Sequence, residues 1–230
     1  MSNIQTNVVK PDVKLTLNDK DYFLFAEGNE NILENNVTNI ENFIKQDGKG
    51  KTEDVKNQLY ADAQNLWREY ADSMKTVKYN FHLNRPQWKF LTDLLLSKLE
   101  YDVNTVFFAI ELVNLLGSMR ETGKYTNDTD LQAYPVTATE ITYIYHLISN
   151  HKIKGLTKDA FLFSEVLVRI GNISKVLNYY DALGKSLSSD IQDWVAAFEE
   201  GVTVEGRTTT TTTETVNGEV LEPENTESAN

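Results

Sequence analysis

The sequence predicts a mainly α-helical globular domain of about six to seven helices, with a small N-terminal β-hairpin and an extended C-terminal tail. Apolar residues recur at spacings of three and four through most of residues 27–200, which is the period of helices with one buried face. Residues 1–26 contain an alternating, strand-like run followed by a turn. From Gly201 the composition becomes rich in threonine and glutamate. We therefore divide the chain into a hairpin region (1–26), a helical domain (27–200) and a tail (201–230).

The hairpin is predicted from three adjoining stretches. VKLTL (13–17) alternates apolar and polar side chains, as a half-buried strand does. NDKD (18–21) favours a turn, and YFLF (22–25) is rich in the aromatic residues that strands prefer.

The helices are placed by periodicity and by their capping residues. Asn84 with Pro86 opens one helix, and the capping box of Thr137 and Glu140 opens another. Residues 103–118 are apolar on nearly every face, which predicts the central and most buried helix. A short strand is predicted at 77–83 and a polar connection at 120–135. The predicted helices cover 28–45, 52–77, a segment starting at 84, 103–118, 137–151, 157–180 and 188–200.

Composition excludes several classes of protein. The chain has no cysteine, which rules out disulfides, thiolate nucleophiles, zinc fingers and iron–sulfur clusters. No apolar run approaches the roughly 20 residues that a membrane helix needs. The first residues lack the basic-then-apolar order of a signal peptide, so we expect a cytoplasmic or virion-associated protein. No cofactor is predicted.

The chain is acidic, with a formal net charge of −12, and the tail alone holds six glutamates against one arginine. An acidic chain repels phosphate, and no cluster of lysine and arginine forms a groove-binding stripe. We therefore expect protein partners, self-association included, and no direct contact with nucleic acid or membrane.

The triplet GKT (50–52) resembles the end of a phosphate-binding loop. Lys45 stands where that loop needs its first glycine, and residues 28–45 have a helical period where a strand should precede the loop. Thr52 followed by two acidic residues is instead typical of a helix N-terminus. No nucleotide site is predicted.

The histidines and acidic loops do not have the spacing of metal ligands. His146 and His151 are five residues apart on one helix and point in different directions. NDTD (127–130) lacks the central glycine of a calcium loop, so ordinary turn chemistry is expected there. No metal site is predicted.

Glu111 is the carboxylate that merits a catalytic hypothesis, because it lies within the apolar run FFAIELVNLL. A buried carboxyl group is able to serve as a general acid or base. Alternatively, Asn104, Glu111, Asn114 and Ser118 form a narrow polar stripe on an otherwise buried helix.

A mixed aromatic and basic cluster is the candidate interaction site in the folded domain. Such residues are enriched in interface hot spots, although core packing is the favoured explanation for Phe81 and Trp88. The candidate residues are Tyr79, Phe81, Arg85, Trp88 and Lys89.

The tail carries a second candidate site. Asn217-Gly218 is a strong two-residue hairpin signal within a threonine-rich segment, and threonine favours strands. The low complexity and one-sided charge favour disorder instead. Both interpretations stay open: a disordered tail, or an arm that becomes β-structured on binding.

These features favour a non-enzymatic structural or assembly protein that docks into a larger complex through its terminal extensions, with a bacteriophage virion as the specific hypothesis. One alternative is an acidic regulator or inhibitor that occupies a basic site on a nucleic-acid-binding partner. A second alternative is an enzyme with a carboxylate site near Glu111.

Overall fold

A computed structural model describes residues 9–200, apart from residues 18, 48–50, 98, 104, 123–126, 150 and 154. Within these residues the protein has six helices and two small antiparallel sheets, which confirms the predicted mainly helical fold. The tail, including Asn217-Gly218, lies outside the described residues. In chain order the elements are β1 (Lys14–Leu17), β2 (Lys20–Phe23), α1 (Asn29–Phe43), α2 (Glu53–Thr76), β3 (Lys78–Leu83), α3 (Arg85–Ser97), α4 (Val106–Thr122), β4 (Gln132–Thr137), α5 (Ala138–Ser149) and α6 (Lys158–Glu200).

Strands β1 and β2 form the predicted N-terminal hairpin. Leu17 pairs with Lys20, so the chain reverses within two residues. Asp19 has a φ of 58°, a left-handed conformation that such tight turns require and that aspartate tolerates. Because the turn is this short, β2 starts two residues before the predicted strand at Tyr22.

The hairpin is joined to the second sheet by Asn80 of β3. Its backbone N–H donates to the carbonyl of Leu24 at 2.7 Å, and its side-chain amide donates to the carbonyls of Phe23 and Phe25 at 3.0 and 2.8 Å. Strand β3, which the sequence predicts, is therefore bonded on one side to the chain that leaves the hairpin.

On its other side β3 pairs with β4, which the sequence analysis missed. The prediction of a polar connection through residue 135 was wrong at its end, since Gln132–Thr137 is a strand. Tyr134 and Val136 of this strand are buried, and they pair with Phe81 and Tyr79. Pairing with β3 therefore makes this segment a strand, although its own sequence is also compatible with a loop.

Helix α6 is continuous over 43 residues, where two helices, 157–180 and 188–200, were predicted. The prediction of a break was wrong because Gly184 has a packing role. A Cβ atom at this position would lie 2.7 Å from Cε1 of Tyr70 on α2. Glycine therefore lets α2 and α6 approach closely while the helix continues.

The described apolar side chains form two clusters. The larger one joins both sheets to α1, α3, α5 and the first two thirds of α6, and it includes Tyr70 of α2 and Leu112 and Leu116 of α4. The smaller one lies where the end of α6 meets α2, and the indole of Trp194 there donates to the carbonyl of Gln46 at 2.7 Å. Its buried members are Leu59, Ala63, Trp194 and Phe198.

Helix α4 is not the most buried helix, and that prediction was wrong. Ala109, Leu112 and Leu116 are buried, but Phe107 and Ile110 are 66% and 52% exposed. Apolar composition alone cannot indicate which side of a helix its neighbours cover: α3 and α5 contact α4, and Phe107 and Ile110 stay exposed.

Candidate functional site

The exposed side of α4 presents apolar residues at helical spacing. Val103, in the turn leading into the helix, is 74% exposed, and Phe107 and Ile110 follow four and seven residues later. Asn114 and Gly117 continue the same line and are exposed. We call these five residues the α4 face. Large exposed apolar residues that align in this way are typical of interaction surfaces.

The α4 face is held in place by contacts on the opposite side of the helix. The ring of Phe108 stacks on that of Tyr143 of α5, with centroids 4.3 Å apart and an interplanar angle of 18°. The indole N–H of Trp88 on α3 donates to the carbonyl of Leu116 at 3.0 Å. These contacts fix the orientation of α4, so Phe107 and Ile110 face outward from a packed element.

The start of α4 is capped by its own sequence. The backbone N–H of Thr105 donates to the Asp102 carboxylate at 2.8 Å, and the N–H of Asp102 approaches the Thr105 hydroxyl at 3.1 Å. The N–H of Val106 donates to the carbonyl of Asp102 at 3.0 Å, so the helical turn begins at Asp102. Val103 therefore belongs to the first turn, in line with Phe107.

Glu111 lies exposed beside the α4 face. The catalytic hypothesis required a buried carboxyl group in a pocket, and the structure instead places this carboxylate in solvent. Asn114 is exposed as the polar-stripe interpretation requires, but Phe107 and Ile110 share that side of the helix. Asn104 and the side chain of Ser118 lie outside the described residues.

The predicted aromatic and basic cluster is divided between core and surface. Tyr79 and Phe81 are fully buried in the larger apolar cluster, where no partner has access to them. Trp88 is half-buried, whereas Arg85 and Lys89 are exposed on α3. Core packing thus accounts for the two buried aromatic residues, and the two basic residues remain accessible.

Arg85 and Lys89 line an open cleft of about 440 Å³ between α3 and the start of α6. Lys158 adds a third basic side chain, and three aspartates line the same cleft. A guanidinium nitrogen of Arg85 lies 3.8 Å from the carboxylate of Asp128. Since the charges balance, the cleft has no strong preference for an anion or a cation.

A second open cleft, of about 430 Å³, lies between the hairpin and α6, and the sequence analysis missed it. Gln87 and Arg169 line it, and the side-chain amide of Gln87 donates to Glu165 at 2.7 Å. These residues are far apart in sequence, and each follows an ordinary helical pattern. No linear signal could have brought them together.

His82 is buried next to this second cleft. Its ring meets that of Tyr22 edge-on, with centroids 5.3 Å apart. Burial, together with the nearby positive charge of Arg169, lowers the pKa of His82 to about 4. Within the described part of the chain, His82 Nδ1 and Arg169 Nε are buried without a hydrogen-bond partner. His82 is therefore a neutral core histidine at neutral pH.

The described residues do not assemble a metal site: they contain no group of three histidine, aspartate or glutamate side chains placed to hold an ion. In the 127–130 loop, Asn127 Oδ1 accepts hydrogen bonds from the backbone of Thr129 and Asp130, both at 2.9 Å. This is the predicted turn chemistry.

Over the described residues, none of the helices has the length and apolar character to cross a bilayer.

Comparisons of the chain with models of protein families, with curated proteins and with solved structures gave no match.

Proposed function

We propose that this protein is a non-enzymatic assembly subunit, which docks onto a protein partner through the α4 face. The observation that carries the proposal is the alignment of Val103, Phe107 and Ile110, three large apolar side chains that are each more than half exposed. In a single chain such residues cost free energy by contact with water. Burying such a side chain from full exposure gains about 1.5–3 kcal/mol, and these three gain a corresponding fraction because they are partly covered already.

The construction of α4 supports docking by a preformed surface. Its buried side is fixed by Leu112, Leu116 and the stacked ring of Phe108. A partner therefore meets a helix that is already folded and oriented, which limits the conformational entropy lost on binding. An aromatic residue near the centre of such a surface is a frequent binding anchor.

The setting that we propose is a larger particle, such as a bacteriophage virion, or the cytoplasm in which it assembles. The support is the organisation of the sequence: a motif-poor helical domain between a hairpin region and a long acidic tail. In this setting Arg85 and Lys89 offer a polar contact separate from α4, and the tail offers another.

Site-specific photo-crosslinking tests the proposal. The chain lacks cysteine, so Phe107→Cys creates a single thiol to which a benzophenone is attached. Phe161→Cys is the matched control, because Phe161 is 62% exposed on α6. The labelled full-length protein is irradiated in an extract of its native source, and adducts are identified by mass spectrometry.

We expect a defined protein adduct from position 107 that is absent from position 161. Where the adduct contains a different protein, unlabelled wild-type chain should compete for it, and a Phe107→Lys, Ile110→Lys variant should not. Equal labelling from both positions, or none from 107, would refute docking through the α4 face.

A further inference from the structure

We infer that the partner of the α4 face is a second copy of this chain, packed helix against helix about a two-fold axis. This inference rests on the proposed function and identifies its partner. Residues Val103, Phe107, Ile110, Asn114 and Gly117 follow one another at intervals of four, three, four and three. That is the a/d spacing of helices that pack in pairs, and two identical helices satisfy it mutually.

The polar residue in this line fits a pair of identical helices. With Phe107 at an a position, Ile110 takes d and Asn114 takes the next a position. A single asparagine at a pairs with its counterpart and fixes register and a two-stranded state, at some cost in stability. In contact with a wholly apolar partner, the same amide would lose its hydrogen bonds to water.

Gly117 allows close approach at the far end of the line. It is exposed, and no described atom lies within 4 Å of the position that a Cβ would occupy, leaving out the backbone of α4 itself. Its φ is unremarkable for a helix, so the glycine is not needed for backbone conformation. The absence of a side chain leaves space for a residue of the opposing helix.

Electrostatics is compatible with the same occupant. The chain carries a net charge of −12, so two copies repel one another across most orientations. Of the described residues on the α4 face, all five are uncharged, and Glu111 lies at its edge. Two acidic chains therefore meet here with little repulsion, whereas a basic partner would gain little from this surface.

The size of the face predicts a weak dimer. From Val103 to Gly117 the line covers two heptads, about 21 Å of helix. The area that an interface of this length buries is at the lower end of the range for specific protein–protein interfaces. We therefore expect a concentration-dependent equilibrium between monomer and dimer.

The experiment combines light scattering with disulfide trapping on the full-length chain. Mass is measured over a wide range of concentration for the wild type, for Phe107→Lys and for the matched surface control Phe161→Lys. Single cysteines are introduced by Ile110→Cys and Asn114→Cys, with Gln64→Cys on exposed α2 surface as the control. Circular dichroism checks that each variant is folded.

A wild-type dimer that Phe107→Lys weakens by about tenfold or more, while Phe161→Lys does not, supports the inference. So does disulfide dimer formation at position 114, alone or together with position 110, in excess of position 64. Trapping at both positions indicates parallel helices, and trapping at 114 alone indicates an antiparallel crossing centred on Asn114. Trapping at 110 alone would contradict the pairing of Asn114 with its counterpart.

Other outcomes overturn the inference and separate it from the proposed function. A chain that stays monomeric while position 107 captures a different protein keeps the docking role and excludes self-pairing. A monomer that captures no protein at 107 contradicts both. Dimers that appear only after removal of residues 201–230 identify the tail as the occupant of the face.

Discussion

Gly184 of α6 lies against the aromatic ring of Tyr70 of α2, so closely that a Cβ atom would approach Cε1 to 2.7 Å. Close by, the hydroxyl of the same tyrosine donates to the carbonyl of Tyr180 at 2.5 Å. Glycine and tyrosine thus act together: the glycine allows the approach, and the tyrosine bonds to the helix one turn earlier.

Gly184→Ala is therefore expected to destabilise the protein, although alanine is the better helix former. The added methyl group collides with a ring that a buried hydrogen bond holds, and such overpacking costs about 1–3 kcal/mol. The matched control is Gly171→Ala in the same helix, where no described atom outside the local helix backbone lies within 4 Å of the new Cβ. There we expect stabilisation of up to about 1 kcal/mol. Urea unfolding of both variants is the measurement, and equal effects would contradict the packing role of Gly184.

Glu34 connects the N-terminal segment to the centre of α6. Its carboxylate accepts hydrogen bonds from Lys10 at 2.9 Å and from the buried hydroxyl of Tyr180 at 2.5 Å. Burial alone would raise the pKa of Glu34, but these two hydrogen bonds and the charge of Lys10 lower it below its ordinary value. Glu34→Ala leaves the Tyr180 hydroxyl without this acceptor, and we expect a loss of about 1–3 kcal/mol in the free energy of unfolding.

Glu30 provides the control for this substitution, because it also binds Lys10, at 2.8 Å, whereas the hydroxyl of Tyr180 donates to Glu34. Glu30→Ala is expected to cost less than about 1 kcal/mol, as is typical of a surface ion pair. Equal losses for the two variants in the same urea titration would show that the Tyr180 bond contributes little.

The lowered pKa of His82 predicts that the stability of the protein depends on pH in mildly acidic solution. The unfolded chain binds a proton at His82 near pH 6.5, whereas the folded chain does so only near pH 4. The unfolded state is therefore favoured as pH falls through this interval, and stability is unaffected by this group above it. The full effect is about 3 kcal/mol.

The measurement is the free energy of unfolding at several pH values between 6.5 and 5, above the interval in which Glu34 contributes. His82→Gln should flatten the slope, whatever its effect on stability at pH 7. The matched control for the loss of a histidine is His146→Gln, on the exposed side of α5. If the free energy of unfolding depends on pH as steeply in His82→Gln as in the wild type, this histidine is not the source of the dependence.

A chain that ends at Glu200 distinguishes two routes to assembly. If self-association uses the α4 face, the truncated chain should keep the concentration-dependent mass of the full-length protein, because α4 is intact. If the tail is an assembly arm, as the Asn217-Gly218 signal suggests, truncation should yield a monomer. Light scattering of both forms in one buffer decides between these routes.

The sequence correctly predicted the elements whose own residues, such as helix caps, favour the same structure as the packing around them does. The capping box at the start of α5 is present as expected, with the backbone N–H of Glu140 donating to the Thr137 hydroxyl at 3.3 Å and the backbone N–H of Thr137 donating to the Glu140 carboxylate at 2.7 Å. Strand β4 was missed because Pro135 and the polar residues 127–130 that precede the strand resemble a loop. It becomes a strand because β3, about fifty residues earlier, supplies a partner.

The α4 face shows why the candidate site was harder to predict than the fold. The three-four spacing of Phe107, Ile110 and Asn114 was visible in the sequence, but Leu112 and Leu116 offered an equally apolar line for the core. Only the positions of α3 and α5 determine which line is covered. The two clefts depend in the same way on contacts between distant parts of the chain.

The length of α6 determines which part of the protein unfolds locally. Its 43 residues extend about 65 Å, from the larger apolar cluster to the small cluster around Trp194. Four buried side chains form that small cluster, far fewer than protect the rest of the helix. The last turns of α6 are therefore expected to exchange their amide hydrogens through local opening, while the amides around Ile170 exchange only when the whole domain unfolds.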